Sequence, residues 1–233
     1  MKEELFLELK REPGRENRLD MVISQLLPGT EVPLDAEKLS SEVLLRAREG
    51  DRVAFTHLFQ VYHVQIFTYL VRMVNSWEEG EDLTQETFIK AWQSLSSLRD
   101  ESCLKAWLYR IATRIALDHL RHRKVRQIFR FLSLTDMAPA FEQEETREPG
   151  LEEQVAESEQ VQQALQCVSQ QYRTCLLLYY GIGFKQHEIA AMLMMSEKNV
   201  NVYIKRGCEQ FRQAYQQLEK GQASTSKRRG RLR

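Results

Sequence analysis

The spacing of apolar residues limits the fold of this chain more than any other feature. They recur every three to four positions through two long blocks, and an acidic stretch poor in large apolar groups lies between. Recurrence at i, i+3, i+4 and i+7 builds one face of a helix, whereas a half-buried strand needs alternation with period two. No segment alternates for long enough to read as a convincing strand, and five prolines and ten glycines in 233 residues leave regular structure largely uninterrupted. The expectation is an all-α protein: two small helical domains joined by a flexible acidic linker.

Helix signals divide the first block. Leu39, Val43, Leu44 and Ala47 end at Gly50, a natural C-terminal stop, and Asp51 can cap the next helix. That helix carries Phe55, Leu58, Phe59, Tyr62, Ile66, Phe67, Tyr69 and Leu70, a face broad enough to require burial. Ser76 and Glu79 have the spacing of a capping box for a third helix running to about Leu95. A loop from Leu98 to Ser102 leads to a fourth, from Cys103 to about Arg126, with Leu104, Leu108, Ile111 and Ile115 on one stripe. Periodicity resumes with Val161, Leu165 and Val168 and continues through Ile204 and Phe211. The predicted organisation is an N-terminal arm (1–34), a first domain (35–131), the linker (132–157), a second domain (158–219) and a basic disordered tail (220–233).

Composition narrows the function. The longest apolar run, Cys175 to Tyr180, is too short to cross a bilayer, and the opening MKEELFLELKREPG lacks the order of a signal peptide, so a cytoplasmic protein without stable membrane insertion is expected. Four scattered cysteines form no CxxC pair, which argues against a zinc knuckle or a disulfide framework. His119 and His122 stand three apart on a helix but no carboxylate or thiolate completes a metal site; no serine sits in GxSxG, and Gly181-Ile-Gly183 is no phosphate loop. No catalytic residues, metal or cofactor are expected. The formal net charge is zero, yet charge is segregated. Glu142, Glu144, Glu145, Glu148, Glu152, Glu153 and Glu157 crowd the linker against a lone Arg147, while RHRKVRQIFR at 121–130 and the tail KGQASTSKRRGRLR are basic without an acid. Nucleic-acid binding responds to local potential, so a neutral total does not exclude it.

Two motifs carry the functional reading. In DLTQETFIKAW (82–92), Asp82, Gln85 and Glu86 share one helix face while Leu83, Phe88, Ala91 and Trp92 can turn inward. An acidic, amide-bearing face suits a basic partner surface. Downstream, Arg110, Arg114 and Arg121 fall on one face at spacings of four and seven with Thr113 beside them, flanked by Trp107 and Tyr109, and RHRK extends the positive surface. Trp107 reads as core, and Arg114 has a competing partner in Asp118 at i+4. The second motif, GFKQHEIAAMLMMSEKNVNVYIKRGCEQF (183–211), has the apolar skeleton of a helix-turn-helix. Ser196 can cap its second helix and leave Glu197, Lys198, Asn199, Asn201, Val202, Lys205 and Arg206 outward, where amides read adenine edges and cations hold guanine or phosphate.

The order and spacing of these segments resemble regions 2 and 4 of bacterial RNA polymerase sigma factors, specifically the extracytoplasmic function (ECF) group of the sigma-70 family. The resemblance covers about 50–130 and 160–218. It implies that Asp82, Gln85 and Glu86 bind the core polymerase's clamp. It implies that the loop 97–102 and the following helix melt and read the promoter element ten bases upstream of the start, with Arg99, Lys105, Arg110, Thr113, Arg114, Arg121, Arg123 and Lys124 as DNA contacts. It implies that the second domain recognises the element thirty-five bases upstream through Lys198, Asn199, Asn201, Val202, Tyr203, Lys205 and Arg206. The implied partners are core RNA polymerase, promoter DNA and an anti-sigma factor. Arg114 stands where many members have asparagine, and Tyr203 where the recognition helix usually has a basic residue. Met194 holds the turn position usually given to glycine, where a left-handed backbone strains any other residue. Two other readings fit the same motifs: a sigma-like regulator or adaptor that binds polymerase or another protein without promoter recognition, and an ordinary helix-turn-helix transcription regulator.

Overall fold

The computed structural model describes residues 41–98, 100–133 and 152–229, with side chains for 41–98, 100, 102–126 and 159–220. The arm 1–34 and linker positions 134–151 lie outside the described residues. Among the described residues the chain is helical and has no strand. The first domain contains α1 (Ser41–Arg48), α2 (Arg52–Val74), α3 (Trp77–Ser94) and α4 (Leu104–Ser133). The second contains α5 (Glu152–Cys167), α6 (Gln170–Leu176), a wider helical turn (Leu177–Gly181), α7 (Gln186–Leu193) and α8 (Glu197–Arg229). Three boundaries differ from the sequence reading. The fourth helix runs on to Ser133, α5 begins at Glu152 within the segment expected to be linker, and α8 continues through Arg229, into the segment expected to be a tail.

Local chemistry sets the helix ends. Gly50 takes a φ of 94°, reversing the chain after α1, and Asp51 caps α2 by accepting from the Val53 and Ala54 amides at 2.8 and 3.3 Å. The Arg46 guanidinium donates to the other oxygen of Asp51 at 2.9 Å and, with those amides, holds its carboxyl below the usual range. Asn75 ends α2 in the left-handed region, which asparagine tolerates better than most residues. Ser76 caps α3 by accepting from the Glu79 amide at 3.2 Å. The Glu79 carboxylate, expected to complete the box, instead meets Arg123 of α4 at 2.9 Å and His119 at 3.3 Å.

Helices α2 and α3 form an antiparallel hairpin whose register is fixed by three ring pairs. Phe55 meets Trp92, Phe59 meets Phe88 and Phe67 meets Trp77, all edge-on with centroids 4.9, 4.8 and 4.6 Å apart. At the turn end of the hairpin Gly80 allows the backbones to close, since a Cβ there would lie 2.5 Å from Val71 Cγ2 and 3.3 Å from its backbone. Leu58, Ile66, Tyr69, Leu70, Leu108 and Ala112 are buried beneath the hairpin. In the second domain Leu165, Cys175, Leu178, Ile189, Val200, Ile204 and Phe211 make the corresponding core.

The two domains dock directly on each other. Phe184, which follows the wider turn, lies edge-on to Tyr109 of α4 at 5.4 Å, and the Lys105 amine sits 5.4 Å over the Phe184 ring while donating to the Ile182 carbonyl at 3.4 Å. Thr174 of α6 reaches Met73 of α2, with Oγ1 3.7 Å from Sδ. A polar seam adjoins them: Arg72 donates to Gln162 at 2.9 Å, Gln162 donates to Asn75 at 2.8 Å, and Gln166 donates to the Arg72 carbonyl at 3.4 Å. The sequence signals treat the halves as beads on a linker. They give no hint of this docking, because contacts between positions a hundred residues apart leave no local periodicity.

Candidate nucleic-acid interface

Three surfaces hold the candidate residues. The first is the outer face of α3. Burial of Leu83, Thr84, Thr87, Phe88 and Ala91 rotates Asp82, Gln85 and Glu86 outward, and all three are exposed. Thr84 and Thr87 hydroxyls donate to the Gly80 and Leu83 carbonyls at 2.7 Å, so these buried polar groups need nothing outside the helix. Glu86 pairs with Lys90 at 2.6 Å. Ile89, 57% exposed, stands three residues after Glu86 and seven after Asp82, on the same face. Sequence reasoning missed it, although its spacing was the available signal. An exposed apolar residue amid charges supplies what a purely acidic face lacks, a surface worth drying on contact.

The second surface is α4. Arg110, Arg114 and Arg121 are exposed along one stripe, and Lys124 is exposed beyond them. The competing partner of Arg114 is otherwise engaged, since Asp118 pairs with Arg121 at 3.0 Å. Arg114 makes no ion pair among the described residues. Trp107 is core, as expected, and so is Tyr109. Three expected DNA contacts are placed differently. Thr113 is 2% exposed and shares a 2.7 Å hydrogen bond with the Tyr69 hydroxyl, so it belongs to the core and faces no solvent. Its position one before Arg114 turns it about 100° away from the stripe. Arg123 is committed to Glu79 and to the Val74 carbonyl at 3.3 Å, pinning α4 to the α2–α3 corner. Lys105 is covered by the second domain, as described above. Arg99 lies outside the described residues.

The third surface is the α7–α8 pair. Burial of Ile189, Ala190, Val200 and Ile204 gives the helix-turn-helix skeleton, and the Lys185 amide donates to Glu188 at 2.6 Å at the start of α7. Met194 occupies the turn with φ 52° and ψ 46°, the left-handed conformation expected there. Ser196 caps α8 by accepting from the Asn199 amide at 3.2 Å. Lys198, Asn199, Lys205 and Arg206 are exposed, whereas Asn201, Val202 and Tyr203 are half-buried. Tyr203 packs edge-on against Tyr172 at 5.1 Å. The Tyr172 hydroxyl accepts from Arg206 at 3.4 Å, which raises the pKa of that guanidinium further. Tyr203 therefore serves packing as well as surface, and the exposed cations at this end of the domain lie before and after it.

These segments match known families. Residues 58–126 match the family described as Sigma-70 region 2, and residues 158–211 match Sigma-70, region 4. The RNA polymerase sigma-H factor of Pseudomonas aeruginosa is 30% identical over 188 residues, 78% of this chain and 96% of that protein. The ECF RNA polymerase sigma factor SigW of Bacillus subtilis is 27% identical over 186 residues, 78% of this chain and all of that one. Among solved structures, the sigma factor RpoE of Bartonella quintana, in complex with the anti-sigma factor NepR, superimposes with a TM-score of 0.54 at 20% identity, covering 70% of this chain and 96% of that one. CnrH in complex with the cytosolic domain of CnrY gives 0.53 at 21% identity, covering 73% and 92%. With both regions in order on one all-helical chain, and relatives matched over nearly their whole length, this protein belongs to the extracytoplasmic function group of the sigma-70 family, whose members direct RNA polymerase to promoters.

Proposed function

We propose that Asp82, Gln85 and Glu86, with Ile89 among them, form the surface that grips core RNA polymerase, and that Arg110, Arg114, Arg121 and Lys124 hold the melted promoter strand. Lys198, Asn199, Lys205 and Arg206 meet the upstream duplex. The observation that carries this reading is the exposed acidic face of α3 held beside the exposed arginine stripe of α4 by the Glu79–Arg123 pair. A melted strand presents phosphates on one side and unstacked bases on the other, and a row of guanidiniums answers the first. The duplex-binding helix holds its strongest exposed cations at 198, 205 and 206, which favours phosphate anchoring with base reading from Asn199.

On this reading the protein is no enzyme itself and acts in the cytoplasm, where polymerase and promoters are. An anti-sigma factor is an expected partner, since the similar fold of the sigma factor RpoE is solved in complex with the anti-sigma factor NepR. No helix among the described residues is long and apolar enough to cross a membrane.

The test is reconstitution. Purified protein mixed with core polymerase and a promoter library should give promoter-specific initiation, and Asp82→Lys with Glu86→Lys should weaken polymerase association at least tenfold while leaving the helical spectrum unchanged. Undiminished association of the double variant refutes the assignment of the α3 face. Polymerase binding without initiation would replace promoter recognition by an adaptor role, and duplex binding without polymerase would point to an ordinary regulator.

A further inference from the structure

We propose that Tyr172, which lies on α6 and outside the duplex-binding helix, is a positioning residue. Its hydroxyl and its packing on Tyr203 hold the Arg206 guanidinium in one orientation, and Arg206 so held reads a guanine of the upstream element. Charge alone groups Arg206 with Lys198 and Lys205 as phosphate anchors; the tether gives it a different task. The tether stands on contacts within the second domain, and only the guanine rests on the duplex contact proposed above.

The helix period sets the placement. Val200, Ile204 and Gly207 turn inward from α8, while Asn199, Tyr203 and Arg206, at i, i+4 and i+7, form a strip along one flank. Helix α6 runs beside that flank, and Gly207 allows the approach. A Cβ there would lie 3.0 Å from Leu176 Cγ and 3.2 Å from Tyr172 Cβ, tighter than ordinary van der Waals contact. The stem of Tyr172 is therefore seated on the backbone of α8.

From that seat the side chain reaches along the strip. Its ring meets Tyr203 edge-on, with centroids 5.1 Å apart and planes at 62°, and both residues are half-buried. Its hydroxyl accepts from Arg206 Nη1 at 3.4 Å. Arg206 is exposed and makes no ion pair among the described residues, Glu209 three positions on included, so the phenol is what orients it.

Such a tether suits a base more than a phosphate. A guanidinium presents its N–H groups in a rigid plane. With Nη1 engaged, Nε and Nη2 remain side by side on the far edge, and two parallel donors match O6 and N7 of guanine in the major groove. A phosphate accepts a cation over a wide range of directions, whereas this paired contact needs the plane aligned. An unheld arginine surrenders its rotamer freedom when it binds; one held beforehand has already done so, and less is lost per hydrogen bond formed. Tyr172 thus acts on DNA through Arg206 and need not touch it.

Two measurements test this. In the free protein, nitrogen relaxation of the Arg206 Nε–H should report an ordered side chain, and Tyr172→Phe, which removes one oxygen and keeps the ring, should loosen it. In the complex with core polymerase, initiation from promoters randomised across the upstream element should enrich guanine at one position by about 5- to 140-fold, the discrimination of a bidentate contact. Arg206→Lys, which keeps the charge and loses the fork, should flatten that position. Tyr172→Phe should lower the enrichment there by about two- to tenfold, the worth of one hydrogen bond, and leave the other positions as in the parent. Equal mobility of Arg206 in the parent and in Tyr172→Phe overturns the tether. A guanine preference untouched by Tyr172→Phe overturns the positioning role, and one untouched by Arg206→Lys overturns the reading of a base. A parent that binds polymerase but selects no upstream sequence removes the guanine together with the duplex contact proposed above; the relaxation measurement uses no DNA and still decides the tether, so the two failures are told apart.

Discussion

Replacing Met194 by glycine should make this protein more stable, and the structure fixes how much. Met194 sits at φ 52° and ψ 46°, with its side chain 87% exposed and its amide donating to the Ala190 carbonyl. For an L-residue that left-handed backbone costs about 1–2 kcal/mol, because Cβ crowds the following carbonyl. Glycine removes the clash and keeps the hydrogen bond. Against this, glycine gains freedom in the unfolded chain worth about 0.4–1 kcal/mol. So exposed a side chain takes almost no buried area with it. The net gain is about 0.5–1 kcal/mol, which for a chain of this size raises the melting midpoint by roughly 1–4 °C. Calorimetry and urea denaturation read it directly. Met194→Ala is the control, since alanine keeps the Cβ and should stay within about 0.5 kcal/mol of the parent. A glycine variant no more stable than the parent, or an alanine variant stabilised equally, refutes the argument from backbone strain.

Three further outcomes follow from the site. Thr113→Val preserves shape but leaves the buried Tyr69 hydroxyl unpaired, so it should cost about 1–3 kcal/mol in urea denaturation, while folded protein binds promoter DNA in the polymerase complex as before; DNA loss without destabilisation would return Thr113 to the interface. Arg110→Ala and Arg114→Ala should each lower the salt dependence of promoter binding by about 0.7–0.9 in log–log slope, one released counterion per lost phosphate contact; an unchanged slope removes that arginine from the DNA face. A thiol-specific chromogenic reagent should titrate two cysteines quickly at pH 8, Cys103 and Cys167, and all four only after unfolding. Burial pushes the Cys175 thiol up to about 12, so raising the pH from 8 to 9 should not expose a fast third thiol unless the fold opens.

Much of this architecture is legible in the sequence because helices write their ends and faces locally. Asp51 and Ser76 cap where their side chains could reach, and Gly50 and Met194 take the backbone that their positions demand. Leu83, Phe88 and Ala91 are buried at the spacing that leaves Asp82 and Glu86 outside. What escapes is whatever depends on a distant partner. Glu79 has the spacing for a local capping role, and only the approach of α4 offers Arg123 as a stronger claim on its carboxylate. Thr113 neighbours an exposed arginine in sequence, and only the fold brings Tyr69 within 2.7 Å. Lys105 reads as a surface cation, and Phe184, seventy-nine positions later, covers it. The polar residue types were informative about chemistry but silent about orientation, since a hydroxyl or an amine serves a core partner as readily as a phosphate.

Glu79 does more than bridge two helices. It lies one turn ahead of the carboxylates on α3, and its Arg123 and His119 partners sit on α4 near the end of the arginine stripe. On the assignment proposed above, the relative setting of the polymerase-facing and strand-facing helices is thus braced by an ion pair as well as by the core beneath them, and a shift of either rod is passed to the other. Linkage works in both directions: if the proposed polymerase and strand contacts are coupled through this strut, each tightens the other by the same factor.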